Sequence, residues 1–312
     1  MEYTDLYING TWTKGTSGER FDVINPANEE VLASVASADI PDADAALDAA
    51  QAAMKDWAAR TPRERSDVLR KAWELMTARL DYFAHLMTLE NGKAGVDAKG
   101  EASDAAEFFR WFAEEAVRAD GMITHAPASG ARIIVQHKPA GLAVLVTPWN
   151  YPAAMGTRKI APALAAGCGV IIKPASETPL TMLALMPLLE EAGVPAGLKP
   201  AMELGGNAPL IVFEDADMDT AIEGTMLAKM RNLGEACTAA NRIFVHESIA
   251  DEYTKRLSAR MSALKVGDGT DPSVDVGPLV NADTRDKVAE FVADAVAKGA
   301  KIECGGTRPE GK

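Results

Sequence analysis

The sequence predicts an α/β fold in which short parallel strands alternate with helices. From Val170 onward, brief apolar runs and longer amphipathic stretches take turns, which is the pattern of βαβ units. The 312 residues suffice for about two domains at roughly 100–200 residues each. Fractions of 47% hydrophobic and 25% charged residues belong to a folded globular chain rather than a disordered one.

Composition also excludes. No stretch approaches the ~18 unbroken apolar residues of a membrane span, so no membrane partner is expected. Met1 to Asp5 is acidic with no apolar run behind it, so no secretory leader is expected and the location expected is the cytoplasm. With 32 Lys+Arg against 45 Asp+Glu the net charge is −13, which argues against nucleic acid, since phosphate binding is driven by basic side chains. Cys168, Cys237 and Cys304 are odd in number and widely spaced, so neither a disulfide framework nor a metal knuckle is expected. His85, His125, His137 and His246 are scattered, and no metal is expected. Asp215, Asp217 and Asp219 alternate like the start of a calcium loop, but Thr220 and Met226 stand where Gly and Glu would be needed. They are read instead as acidic residues opening a helix.

Along the chain, Leu6–Ile8 followed by Asn9-Gly10 signals a hairpin. Asp42 to Ala59 carries apolar residues at helical spacing. Thr61-Pro62-Arg63-Glu64 combines a Thr cap, a Pro at the first position and a Glu three residues after the Thr, so a helix starts there. Its apolar stripe runs to Met87, and Asn91-Gly92 is expected to end it. A third helix carries Phe108, Phe109, Trp111 and Phe112, read as core filling because no basic residues interleave with them on one face. Between Ala126 and Val146 two β-rich runs meet at Pro139-Ala140-Gly141, so a hairpin or extended arm is expected over about 125–146. Strands are then expected at 170–172, 209–213 and 242–245, with helices at 180–191, 218–231, 250–264 and 284–298.

Three segments stand out: Thr147-Pro148-Trp149-Asn150-Tyr151-Pro152 after an apolar strand, Met202-Glu203-Leu204-Gly205-Gly206-Asn207, and Gly234-Glu235-Ala236-Cys237-Thr238-Ala239-Ala240-Asn241-Arg242 between a helix and a strand. Cys237 lies in a small-residue loop that a substrate could approach, although a lone loop cysteine is more often a small buried thiol. Cys168 and Cys304 keep that plainer reading. Glu203 beside two glycines could serve as a base against exposed backbone, or be a surface carboxylate.

Taken together and in this order, with Lys173-Pro174-Ala175-Ser176-Glu177-Thr178-Pro179 between the first two, these motifs resemble the aldehyde dehydrogenase superfamily, and most of all its succinate-semialdehyde dehydrogenases. Asn25-Pro26-Ala27, Leu89-Glu90-Asn91-Gly92-Lys93 and Gly277-Pro278-Leu279 extend the resemblance over essentially the whole chain. It implies a doubly wound nucleotide-binding domain (1–203), a catalytic α/β domain (204–312) and a bridging hairpin arm, in a homodimer or homotetramer.

The resemblance also implies roles. Cys237 matches the nucleophile that forms a thiohemiacetal and then a thioester. Asn150 matches the amide that stabilises the oxyanion, and Glu203, 34 positions before Cys237, matches the water-activating base. Glu235 stands where many relatives have Gln, adding a negative charge near the thiol. Thr147, Pro148, Trp149, Lys173, Ser176 and Glu177 fall in cofactor-binding segments. Ser176 occupies the position where NAD-preferring relatives often carry Glu, which implies NADP, with NAD possible; Ser176 could equally cap the following helix. Arg158 and Arg231 match positions that hold the far carboxylate of succinate semialdehyde. The activity expected is therefore oxidation of that small-molecule aldehyde to succinate. The alternatives are a dehydrogenase for an aliphatic, aromatic or betaine aldehyde, or a truncated fragment without catalysis.

Two departures from the family stand out. After Leu198 roughly 45 residues, on the order of one βαβ unit, are missing where relatives carry a phosphate-binding loop. The chain also stops at Lys312, where relatives continue. The expectation is that the sequence joins parts of a longer enzyme.

Overall fold

The computed structural model describes residues 2–128, 130–196 and 208–308. Glu203 and the Leu198–Lys199 junction lie outside these residues.

The chain opens with β1 (Leu6–Ile8) and β2 (Thr11–Thr13), paired antiparallel. Asn9 (φ 49°) and Gly10 (φ 78°) both take left-handed backbone, the geometry that an Asn-Gly hairpin turn requires. β3 (Arg20–Ile24) pairs with β4 (Val31–Ala36). Helix α1 (Ile40–Ala59) follows, capped by Asp39, with the Asp42 side chain accepting from the Asp39 N–H at 2.9 Å. At α2 (Pro62–Thr77) both halves of the expected capping box form: Thr61 Oγ1 accepts from the Glu64 N–H, and Glu64 Oε2 accepts from the Thr61 N–H at 2.7 Å.

The long stripe expected to end at Asn91 is two helices, because the chain turns at Ala78–Arg79 before α3 (Leu80–Asn91). Helix α4 (Gly95–Ala116) carries the aromatic cluster. Phe109 is fully buried there, but Trp111 is 62% exposed. At about 100° per residue the two positions fall on opposite faces, so Trp111 is not core filling.

The antiparallel hairpin is β5 (Met122–His125) with β6 (Arg132–Val135), turning over 126–131 rather than at Pro139–Gly141. β7 (Leu142–Val146) cannot be its partner, because it pairs in parallel with β8 (Gly169–Lys173) across α5 (Ala154–Ala165). After α6 (Leu180–Ala192) come β9 (Ala208–Val212), α7 (Met218–Met230), β10 (Ala240–Val245), α8 (Ala250–Ser262) and α9 (Ala282–Ala297). Asp217 caps α7, accepting from the Thr220 N–H at 2.9 Å, as expected of an acidic residue opening a helix. Among the described residues no helix is long and apolar enough to cross a membrane.

Two compact units result. The first comprises Met1–Val23, Ala33–Phe83 and Gly100–Glu203. Its core packs α1, α2, α5 and α6 with the β7–β8 pair; Leu69, Met76, Leu164 and Leu185 are all fully buried. Two buried polar side chains tie these helices together: Trp57 Nε1 donates to the Leu164 carbonyl and Arg65 Nε to the Ala165 carbonyl, each at 3.0 Å.

The second unit comprises Ile24–Leu32, Ala84–Lys99 and Leu204–Lys312. β9 and β10 pair in parallel, and α7 and α8 cover one face through Val212, Ile222 and Tyr253. The corner between α3 and α4 belongs to this unit although it lies far away in sequence. There Gly95 N–H donates to the Gly269 carbonyl at 3.0 Å, while Glu90, Asn91 and Lys93 are fully buried.

Candidate active site

In the first unit the carboxyl ends of β7 and β8 lie side by side, with Val146 opposite Lys173. The ladder runs one step further, since Thr147 N–H donates to the Lys173 carbonyl at 3.2 Å. Thr147 is buried, Pro148, Trp149 and Asn150 are half-buried, and Thr178 Oγ1 donates to the Trp149 carbonyl at 3.2 Å. The segments after the two strands are thereby bound to each other. Lys173 and Ser176 are exposed at this strand end and Glu177 is half-buried. Ser176 does not cap the next helix: the cap of α6 is Pro179, without a side-chain hydrogen bond.

Asn150 leads into α5, whose own cap residue, Ala153, has no side chain to offer. Buried Glu101 takes that place from α4, its Oε1 accepting from the N–H groups of Ala153 (2.9 Å) and Ala154 (3.1 Å). A carboxylate at a helix N-terminus satisfies orphan donors and complements the dipole. No sequence signal marked Glu101, because it lies 52 residues from the helix it caps. Arg158, one turn into α5, is exposed and stacks its guanidinium over the Phe108 ring at 5.0 Å.

The second unit holds Arg231 and Cys237. α7 ends at Met230, and the next residues form a tight turn in which Asn232 (φ 53°), Leu233 (φ 63°) and Gly234 (φ 78°) are all left-handed. Glycine is required at 234, because a Cβ there would sit 2.8 Å from the Lys229 carbonyl oxygen. A non-glycine residue in this region costs roughly 1–2 kcal/mol, and bulky Leu233 is an outlier there. The chain then carries Glu235, Ala236, half-buried Cys237 and Thr238 into β10. A cavity of about 210 Å³ opens at this point, lined by Leu227, Ala228, Arg231, Ala236 and Thr238. Arg231 thus shares a cavity with the two neighbours of Cys237.

Three more charged groups surround this turn. Asp97, in the first turn of α4, accepts from the Asn232 N–H at 3.1 Å. Burial raises its carboxyl pKa, opposed by that hydrogen bond and by the charges of Lys93 and Arg231. Both oxygens of Glu235 are buried. Burial pushes its carboxyl up to about 7 against the pull of Lys93, so the glutamate is not simply a fixed negative charge beside the thiol. Asp97 carried no sequence signal and Lys93 only the family resemblance of its segment, since their relation to this turn arises only on folding.

Two groupings emerge among the expected site residues. Thr147, Pro148, Trp149, Asn150, Lys173, Ser176 and Glu177 gather at one strand end, and Arg231 shares a cavity with the two neighbours of Cys237. Arg158 belongs to the first unit and Arg231 to the second.

The sequence profile of the Aldehyde dehydrogenase family matches residues 12–200 and 198–312, breaking where the sequence departs from its relatives. The chain is 46% identical to succinate-semialdehyde dehydrogenase of Paenarthrobacter nicotinovorans over 327 residues, covering 90% of this chain and 73% of that protein. It is 42% identical to the succinate-semialdehyde dehydrogenase [NADP(+)] of Escherichia coli over 348 residues, covering 97% of this chain and 72% of the relative. That alignment is longer than the chain itself, so the relative carries residues inside the matched region that this chain lacks. The crystal structure of an E. coli NADP-dependent enzyme superposes with a TM-score of 0.95 at 41% identity, covering 99% of this chain and 74% of that one. The chain belongs to the aldehyde dehydrogenase family, and its fold is the α/β fold of that family.

Proposed function

We propose that this chain oxidises succinate semialdehyde to succinate, with NADP as preferred cofactor and NAD as the possible alternative. The observation that carries this reading is Arg231 on the wall of a cavity completed by the residues on either side of Cys237. A guanidinium there suits a substrate with an aldehyde at one end and a carboxylate at the other, and the acid-aldehyde relatives agree with it.

Cys237 acts as the nucleophile. Its thiolate adds to the aldehyde carbon, and the carbonyl electron pair moves onto oxygen, where the Cys237 backbone N–H and the Asn150 amide are assigned to hold the oxyanion. Loss of hydride from the tetrahedral carbon leaves a thioester on Cys237. Glu203 is assigned to take a proton from the water that attacks this thioester; the acid departs and the thiol is regenerated. Arg231, and by resemblance Arg158, hold the far carboxylate.

The residues at the ends of β7 and β8 fit a dinucleotide, since open α/β sheets take such ligands beyond the carboxyl ends of their strands. Lys173 and Ser176 are exposed there and Thr147–Asn150 is bound alongside. Lys173 would hold the adenosine ribose, and neutral Ser176 would tolerate a 2′-phosphate. The nicotinamide, when bound, supplies the hydride acceptor. On this reading the first unit serves as the NAD(P)-binding domain, and the second, which adds Ile24–Leu32 and Ala84–Lys99 to Leu204–Lys312, as the catalytic one. A cytoplasmic homodimer or homotetramer is proposed as well, supported by hairpin β5–β6, whose eight residues are all exposed, Met122, Ile123 and Ile134 among them.

The test is steady-state formation of NADPH with succinate semialdehyde against butanal. Arg231→Ala should raise KM for the semialdehyde by about 10–100-fold, the scale of a lost charge-assisted hydrogen bond, and leave butanal within about twofold. Equal kcat/KM for the two aldehydes in the unaltered protein would defeat the carboxylate assignment.

A further inference from the structure

The backbone just before Cys237 is held in a conformation it would not adopt alone. Among the described residues no other run of three takes left-handed backbone as Asn232, Leu233 and Gly234 do, and two of the three have side chains. Part of the support is internal: Asn232 O accepts from the Glu235 N–H at 2.8 Å, and Asn232 Nδ2 donates to the Glu235 carbonyl at 3.3 Å. These bonds close the turn on itself but do not tie it to anything. The tie comes from another helix, where Asp97 Oδ2 accepts from the Asn232 N–H at 3.1 Å, 135 residues away in sequence and within the same unit. Asn232 is buried, so no water can replace that acceptor at little cost. Burial raises the pKa of this carboxyl, and the charges of Lys93 and Arg231 act on it in the opposite direction.

We propose that Asp97 is a positioning residue for the nucleophile. By accepting the Asn232 N–H it holds the left-handed turn that presents Cys237 beside the Arg231 cavity. Without the acceptor, Asn232–Gly234 relaxes toward ordinary backbone and Cys237 moves with it. The inference rests on Cys237 being the nucleophile, and its test needs neither cofactor nor aldehyde.

Alkylation by iodoacetamide is followed peptide by peptide, together with amide hydrogen exchange. Asp97→Ala should raise the rate at Cys237 by about fivefold or more and exchange at the Asn232 amide by about tenfold, as expected when a local tie is lost. Buried Cys168, in the first unit, should stay as slow as in the unaltered protein. Asp97→Asn keeps an oxygen acceptor in the same place and should return Cys237 to within about twofold. An unchanged Cys237 rate in Asp97→Ala overturns the proposal. So does a parallel rise at Cys168, which would mean general loosening, or an Asn variant as affected as the Ala variant. If Asp97→Ala does not fold, Asp97→Glu, which displaces the acceptor but keeps the charge, is judged by the same rates. A Cys237 that resists alkylation in the unaltered protein would defeat the nucleophile reading instead, and the Asn232 amide would still decide the clamp.

Discussion

Around β7 and β8, the segments leaving the sheet are placed by backbone: parallel pairing carries Thr147 to Lys173, and one Thr178 hydroxyl adds a tie. Just before Cys237 the turn has three left-handed residues, and one side chain from a distant helix, Asp97, accepts from its Asn232 N–H. A strand end is robust because many equivalent hydrogen bonds define it, so its side chains can vary without moving the backbone. The turn before Cys237 depends on a few particular groups, and single substitutions there should propagate to the thiol. Strain kept at such a place must be overdetermined by its surroundings.

The sharpest way to break this contrast is at the thiol itself. Cys237→Ala should lower turnover by more than about a thousandfold, because the proposed thioester forms on its sulfur. Retained turnover in a coupled assay would remove the chemical distinction between the two regions. At the strand end, Ser176→Glu should lower kcat/KM for NADP relative to NAD by about 100-fold through like-charge repulsion, with no change in melting temperature. A shift in melting temperature with no change in cofactor ratio would mean that this end is as delicate as the turn.

A smaller effect concerns Glu235. Its folded pKa of about 7 lies above the ordinary 4.5, so the folded state retains a proton that the unfolded chain gives up as pH rises. The cost of burying the charge grows from about pH 4.5 to about pH 7 and is complete above that. Glu235→Gln should therefore unfold at higher urea near pH 8, by on the order of 2–3 kcal/mol, and lose this advantage near pH 4. An advantage independent of pH would assign the effect to packing instead.

Local features of the sequence translated directly into structure: the Asn9-Gly10 turn, the Thr61–Glu64 capping box and the alternation beyond Val170 each depend on residues within a few positions. So did the placement of Lys173 at one strand end and of Thr147–Asn150 beyond another, because a short β-rich run ending in a turn already says where its carboxyl end lies. The hairpin was misplaced because Leu142–Val146 reads as a strand for either partner, and only burial of its parallel neighbour chooses one. Trp111 was misassigned because composition names apolar residues without naming a face.

By itself the sequence determined the alternation of strands and helices beyond Val170 and the family, and offered Cys237, Asn150 and Glu203 as candidates, since motif order and short-range spacing are properties of the chain. Tertiary structure alone decided that Arg231 shares a cavity with the neighbours of Cys237. It also decided that Glu101 caps the helix after Asn150, that Asp97 accepts from the turn before Cys237, and that the charge of Lys93 acts on Asp97 and Glu235. The reason is physical: a carboxylate acts as a cap, a clamp or a surface charge according to which donors folding brings to it and how much water folding removes. Neither quantity is written in the residues on either side of it.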